Sequence, residues 1–475
     1  MQWFNVDKAG LAKLLERRGK EFVLCELIQN AWDQNVSFVD ITLVRAEPNS
    51  RSVVITVEDD DPDGFADLSH AFTLFAESAK KADPTRRGRF NFGEKTVLAL
   101  CDEATIVSTK GGVRFAADGR HVIRKCRTRG TLFTGRLRMT NDEMAACVAL
   151  VQRLFVPSHV VTRFNGMALE ERTPIAEFSA VLTTDIADAD GNLVRRPRRT
   201  AVAIFEPRDA EPGMLYELGI PVVETGDTYH VDVRQKVPLN LNRDNVPPSF
   251  LRDVRTHVVN QMHDRLTAAT ANTPWVRNAL ADPKITADAV RSIVQCRFGD
   301  KTVAYDPSDI EANKRAVSNG YTVVTGSQMS KDEWSNVRRA GSLPAAGRVT
   351  PTPKPFTPGG KPLKVLERAD WTAVESLFDA KVRRLARVLL GFEVELVLAN
   401  DPGWRFNGAY GGRRLTLNRS SLPPGLPLTE AVVDLLLHEF GHEFCSDHLS
   451  SAYHEALTML GARLAFAVAR DPTLV

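Results

Sequence analysis

Apolar positions along this chain keep two different periods. Over residues 20–34, Leu24, Leu27, Ile28 and Ala31 recur at i, i+3, i+4 and i+7, which predicts one buried helical stripe. Residues 6–34 together predict two helices. The β-branched runs 38–44 and 52–58 predict strands, with Glu47, Pro48, Asn49 and Ser50 as the turn between them. Residues 140–153 predict a helix started by Thr140 or Asn141, and 160–165 and 200–206 predict shorter strands. A long helix is expected over 248–270, then a mixture of helix and strand over 285–338. This irregular order predicts an α+β chain rather than a regular βαβ series. Residues 340–364 hold six prolines and no acidic residue, which predicts an extended linker.

Composition narrows the partners. The 475 residues carry a net charge of +2, with 43% hydrophobic and 25% charged. That balance, read with no basic cluster in view, argues against nucleic-acid or membrane partners. The six cysteines form no CxxC pair, as expected of reduced thiols. No signal peptide is recognised and no apolar run approaches the roughly 20 residues of a membrane helix, so the expected location is cytoplasmic.

The helix over 20–34 has a second face. Glu26, Asn30 and Asp33 stand on it at i, i+4 and i+7. Magnesium takes oxygen ligands, and an attacking water needs a carboxylate base. The strand at 52–58 runs into an acidic turn, Asp59 to Asp63, closed by Gly64. Gly88 and Gly93 precede an apolar helix, where backbone N–H groups and the helix dipole favour phosphate.

In this order the segments resemble a known superfamily. ELIQNAWDQN is similar to the N-box of the GHKL ATPases, which include gyrase, heat-shock-90 chaperones, histidine kinases and MutL. VEDDDPDGF resembles their DxGxG box, GRFNFGEKT their second glycine box, and RGTLF their late Gly-Thr strand motif. The resemblance implies an N-terminal Bergerat α/β sandwich that binds ATP and Mg2+. It implies that Glu26 is the general base, that Asn30 holds magnesium with Asp33 in the same row, and that Asp59 accepts from the adenine amino group. Gly64 would close the first box, Gly88, Phe90 and Gly93 would shape the phosphate lid, Ser78 and Lys80 would belong to that lid, and Thr131 would lie near adenine. Asp61, Asp63 and Asn91 stand where the family has glycines, which bears on lid geometry. Further on, VPLNLNRD resembles the middle-domain loop of heat-shock-90 chaperones, implying that Arg243 reaches the γ-phosphate. Lys236 is the alternative, because transducer domains of the superfamily often use a lysine.

Residues 429–455 carry a different chemistry. Thr429 is a good N-cap, and the helix after it sets His438 and His442 at i, i+4 with Glu439 between them. Two imidazoles on one face suit zinc, and the adjacent carboxylate suits a base for water. For the third ligand the spacing offers His448 first, as in the metzincin pattern, then Glu455 on a helix that Ser450 would cap. His454 is expected to face solvent and Cys445 to pack. Residues 411–418 resemble the edge strand along which zincins hold an extended peptide.

The expected organisation is an ATP-binding domain over 1–155, a transducer-like α/β region over 156–275, a small α/β region over 276–339, the linker, and a zincin-like α+β domain over 365–475. The expected function is a chaperone-like ATPase clamp, homodimeric when ATP is bound, with a zinc peptidase acting on protein or peptide clients. One rival is a chaperone-like ATPase whose zinc domain does not cut. Another is a DNA-linked relative of MutL or topoisomerase.

Overall fold

The structure, a computed structural model, describes the chain apart from residues 1–6, 17–18, 66, 75–79, 81, 89–92, 189–190, 209–210, 241–244, 308, 351–362, 405, 446–447 and 449. It is a mixed α+β fold with two compact units, one of Met1–Met262 with Pro274–Ala279, the other of His263–Thr273 with Leu280–Val475.

The first unit holds an eight-stranded sheet. Its strand order is Gly119–Ile123, Gly111–Ala116, Glu103–Ser108, Leu132–Arg138, Ser52–Asp59, Phe38–Arg45, Val161–Phe164 and Met167–Ala168. All neighbours are antiparallel except Phe38–Arg45 with Val161–Phe164. Helices Lys8–Glu16, Glu21–Trp32, Gly93–Leu100 and Asn141–Gln152 share a core with this sheet. The predicted stripe of Leu24, Leu27, Ile28 and Ala31 meets Val39, Ile41, Val53, Ile55 and Val57 there. Each fully enclosed Leu or Ile contributes roughly 1.5–3 kcal/mol. Thr140 caps helix Asn141–Gln152 in a capping box with Glu143.

The alternation along Ser52–Asp59 has a further result. Val53, Ile55, Val57 and Asp59 share the buried face, so the last inward position of an apolar strand is a carboxylate.

A second sheet in the same unit has five strands, in the order Ile220–Glu224, Met214–Glu217, His230–Val233, Leu193–Phe205 and Ala176–Ala187. The strand expected at 200–206 is the end of a longer one. Leu193–Phe205 pairs with His230–Val233 only through Val202–Phe205, and with Ala176–Ala187 along nearly its whole length. Arg195, Arg196 and Arg199 on it are exposed and Arg198 is half-buried, which corrects the expectation of a chain without basic clusters. The helix expected over 248–270 stops at Met262. A 3-10 turn follows, and Thr267 then caps the short helix Ala268–Ala271.

In the second unit, helices Ala287–Phe298, Ile310–Ser318 and Lys331–Ala340 accompany a parallel strand pair, Thr302–Ala304 and Thr322–Val324. The stretch expected as linker begins with packed chain: Leu343, Ala345, Ala346 and Thr350 are buried, and Ala346–Val349 is helical. Its proline-rich part, 351–362, lies outside the described residues. Beyond it, helices Ala373–Leu390, Glu430–Gly441 and Ser451–Arg470 pack on a three-stranded sheet ordered Glu395–Ala399, Arg414–Asn418, Gly408–Gly411. The central strand is therefore Arg414–Asn418, and the edge near the histidine helix is Gly408–Gly411, a shift from the edge expected over 411–418. No helix among the described residues is long and apolar enough to cross a membrane.

Candidate functional site

Helix Glu21–Trp32 turns its polar row toward the glycine-box segment. A Cβ on Gly93 would overlap the Glu26 carboxylate, so only glycine lets the start of helix Gly93–Leu100 lie against it. Glu26 is buried, and the Gln29 side-chain amide donates to its Oε2. Asn30, one turn on, is half-buried. The row ends at Asp33, whose oxygens accept from the N–H groups of Arg87 at 3.0 Å and Gly88 at 3.1 Å. Arg87 Nη1 pairs with the same carboxylate at 3.0 Å, both side chains being almost wholly enclosed. The guanidinium also lies 5.4 Å from the Trp32 ring and donates through Nη2 to the Leu218 carbonyl. Arg87 and Gly88 thus donate to both oxygens of Asp33. Arg87→Ala leaves that carboxylate buried without its counter-charge. The expected cost is about 3–5 kcal/mol, read as a lower urea midpoint of the first unit. An unchanged midpoint would show that the pair contributes nothing.

A second cluster forms where strands Ser52–Asp59 and Leu132–Arg138 end together. Asp59 Oδ1 accepts from the N–H groups of Asp61 at 3.1 Å and Thr131 at 3.0 Å. Gly130 has φ +72°, and a Cβ there would overlap the Asp59 carbonyl oxygen. Thr131 Oγ1 lies 3.3 Å from Ser108 Oγ, which in turn accepts from the Phe65 N–H at 2.7 Å. Gly64, at φ +58°, packs against Ser108 and Thr109. Asp59, Gly64 and Thr131 are thus brought together, and Ser108 joins them unannounced by any motif. Burial pushes the Asp59 carboxyl up to about 6, against the pull of the two N–H donors. Between its ordinary value and pH 6 the unfolded chain ionises this group first. Stability is therefore lost as pH rises through that window, and a penalty of about 3 kcal/mol is fully present above it.

The lid candidates divide. Lys80 packs against Gly88, and its carbonyl accepts from Lys236 Nζ at 2.5 Å. The Lys236 N–H donates to the Pro84 carbonyl at 2.8 Å, and the side chain is fully enclosed. Ser78, Phe90 and Arg243 lie outside the described residues.

In the second unit, Thr429 caps helix Glu430–Gly441, its side chain accepting from the Val432 N–H. His442 is the residue just past the helix and keeps right-handed helical angles, which preserves the i, i+4 relation to His438. The ligand atoms of His438, His442 and His448 all lie within 4.8 Å of one another, and Nε2 of His438 is 3.1 Å from Nε2 of His448. Tetrahedral Zn–N bonds of ~2.0–2.1 Å put two ligand atoms a little over 3 Å apart; the His438–His448 pair has that spacing, and three imidazoles this close are the donor type zinc takes. Glu455 is exposed on the next helix and outside this group, as is His454. Ser450 caps that helix, accepting from the Tyr453 N–H at 3.1 Å. Glu439 is buried, and a Cβ on Gly408 of the edge strand would lie 3.1 Å from its Oε1. Tyr453, missed in the sequence, packs its ring 4.6 Å from that of His448 and 5.2 Å from that of His442. Its hydroxyl donates to the His438 carbonyl at 2.9 Å.

Residues 19–125 match the protein-family model described as "Histidine kinase-, DNA gyrase B-, and HSP90-like ATPase". The N-terminal region carries a GHKL-type ATPase domain. No curated protein matches the chain. Similar solved structures include the ATPase region of Saccharomyces cerevisiae topoisomerase II, at 10% identity and a TM-score of 0.30, covering 42% of this chain and 62% of that one. The N-terminal domain of a DNA repair protein is similar at 11% identity and a TM-score of 0.32, covering 50% and 90%. The ATPase and transducer domains of DNA topoisomerase II from Balamuthia mandrillaris give 10% identity and a TM-score of 0.32, covering 55% and 70%. The chain thus spans just under two thirds of the yeast ATPase region.

Proposed function

We propose that this chain is an ATP-hydrolysing clamp whose C-terminal zinc site cleaves peptide bonds of a client. The observation that carries the first half is the meeting of the Glu21–Trp32 polar row with the glycine-box segment, inside the stretch that matches the ATPase family. Glu26 takes the proton of the attacking water at its carboxylate. Asn30 supplies an oxygen to Mg2+, which when bound neutralises phosphate charge. Asp59 accepts from the adenine amino group, with Thr131, Ser108 and Gly64 around it. Lys236 serves the γ-phosphate in preference to Arg243, because its ammonium already contacts the lid segment. Closure on ATP brings two copies together as a homodimer.

The second half rests on the three clustered imidazoles with a buried carboxylate beside them. Zinc, when held there, supplies a Lewis acid. Glu439 accepts the proton of the attacking water, and the edge Gly408–Gly411 pairs with an extended peptide. Magnesium-dependent release of phosphate from ATP by the intact chain tests the first half, and its absence would sink it.

Asp59 gives a paired result. Asp59→Asn keeps an Oδ1 for both N–H donors and removes the buried charge. The expected outcome is a rise in melting temperature at pH 7.5, worth up to about 3 kcal/mol, together with loss of ATP affinity. In the unaltered protein, ATP affinity should weaken as pH falls below about 6. A pH-independent Kd between 5 and 7.5 would remove Asp59 from adenine recognition.

A further inference from the structure

Strands Ala176–Ala187 and Leu193–Phe205 continue past the sheet as a two-stranded ribbon. From Leu193 opposite Ala187 to Arg199 opposite Val181, seven residue pairs have no other strand beside them among the described residues. That is a ribbon about 23 Å long. Alternation puts Arg195, Pro197 and Arg199 on one face, opposite Asp185, Thr183 and Val181. Arg196 and Arg198 lie on the other face, opposite Thr184 and Leu182. This second face is braced: Thr184 Oγ1 donates to the Lys236 carbonyl at 2.8 Å, and Gln235 Nε2 donates to the Leu182 carbonyl at 3.2 Å. The first face is open. Arg195 is steadied there by Asp185 at 3.2 Å, and neither Arg196 nor Arg199 has an ion pair among the described residues.

We propose that this ribbon binds double-stranded DNA through its phosphate backbone. Four arginines within five residues, at least three of them exposed, form a local positive field that the chain's near-zero net charge conceals. Guanidinium forks match phosphate oxygens, and Thr183 adds a hydroxyl on the same face. A two-stranded ribbon fits the major groove of B-DNA, and Arg195 and Arg199, about 13 Å apart along the strand, match its width of about 12 Å. No aromatic residue stands on the open face to stack unpaired bases, which favours a duplex over a single strand. The deep, narrow major groove of duplex RNA does not admit such a ribbon. Pro197 contributes by lacking an N–H, which discourages another strand from adding to the open edge.

The test is binding of a labelled 30-base-pair DNA of mixed sequence to the full chain without nucleotide, between 50 and 200 mM salt. The unaltered protein should bind with a log–log salt slope of about −3 to −4. Arg195→Glu with Arg199→Glu should weaken binding at least tenfold at 50 mM and flatten the slope by about two. The milder pair Arg195→Gln with Arg199→Gln should weaken binding by less and flatten the slope by about the same amount. Arg291→Glu with Lys314→Glu alters net charge equally in the second unit and should change neither. The proposal fails if the unaltered chain does not bind duplex DNA at 50 mM salt, or if both reversal pairs weaken it alike. It also fails if single-stranded DNA, duplex RNA or polyglutamate binds better than the duplex. Because no nucleotide is present, the outcome is independent of the ATPase reading.

Discussion

Glu26→Gln should lower ATP turnover by about 10²–10⁴-fold while leaving ATP affinity within a few-fold of the unaltered protein. The reason lies in what glutamine keeps. It has the same size, so it fits against the Cβ-less face of Gly93 and can still accept from Gln29. It cannot take a proton from water. A binding loss as large as the turnover loss would mean that Glu26 holds the site together rather than serving as base. Unchanged turnover would remove it from the chemistry. Gly93→Ala provides the steric counterpart, because its new methyl overlaps the Glu26 carboxylate and must displace it or the helix start.

The proposed zinc site should separate binding from cleavage. His438→Ala removes one of three clustered imidazoles, and about one zinc per chain in the unaltered protein should fall to near none. Glu439→Gln should retain the metal and lose peptide cleavage by about 10²–10⁴-fold. Metal analysis beside a cleavage assay on an unstructured polypeptide reads both variants. Cleavage surviving in Glu439→Gln would leave zinc a structural or client-binding part. An unaltered protein that takes up no zinc would make the histidine cluster a packing feature. Glu455→Gln should change neither reading, since that carboxylate is exposed and apart from the cluster.

How much of this was legible depended on which interactions decide each element. Helix Glu21–Trp32 and the strand pair beside it could be read because their apolar periods belong to one large core. Asp59, Gly64 and Thr131 could be matched to motifs, but Ser108 could not, because a lone serine at a strand end has no pattern. The Asp33–Arg87 pair spans 54 residues, and spacing along one helix face says nothing about a partner so distant. Strand Leu193–Phe205 reads against itself, with a proline and four arginines where strands favour β-branched residues. Its long ladder to Ala176–Ala187 overrides that propensity. At the histidine cluster, spacing offered two third ligands. His448 stands with His438 and His442, and the exposed Glu455 lies outside that group.

The loop at Gln235 and Lys236 is bonded in two directions. It holds strand Ala176–Ala187 through Thr184 and Leu182, and it holds the segment beside the glycine box through Lys80 and Pro84. Thermodynamic linkage makes such a joint reciprocal. Whatever factor nucleotide imposes on the ribbon's hold on a ligand, that ligand must impose on the hold on nucleotide. Any such coupling would run through four hydrogen bonds about Gln235 and Lys236.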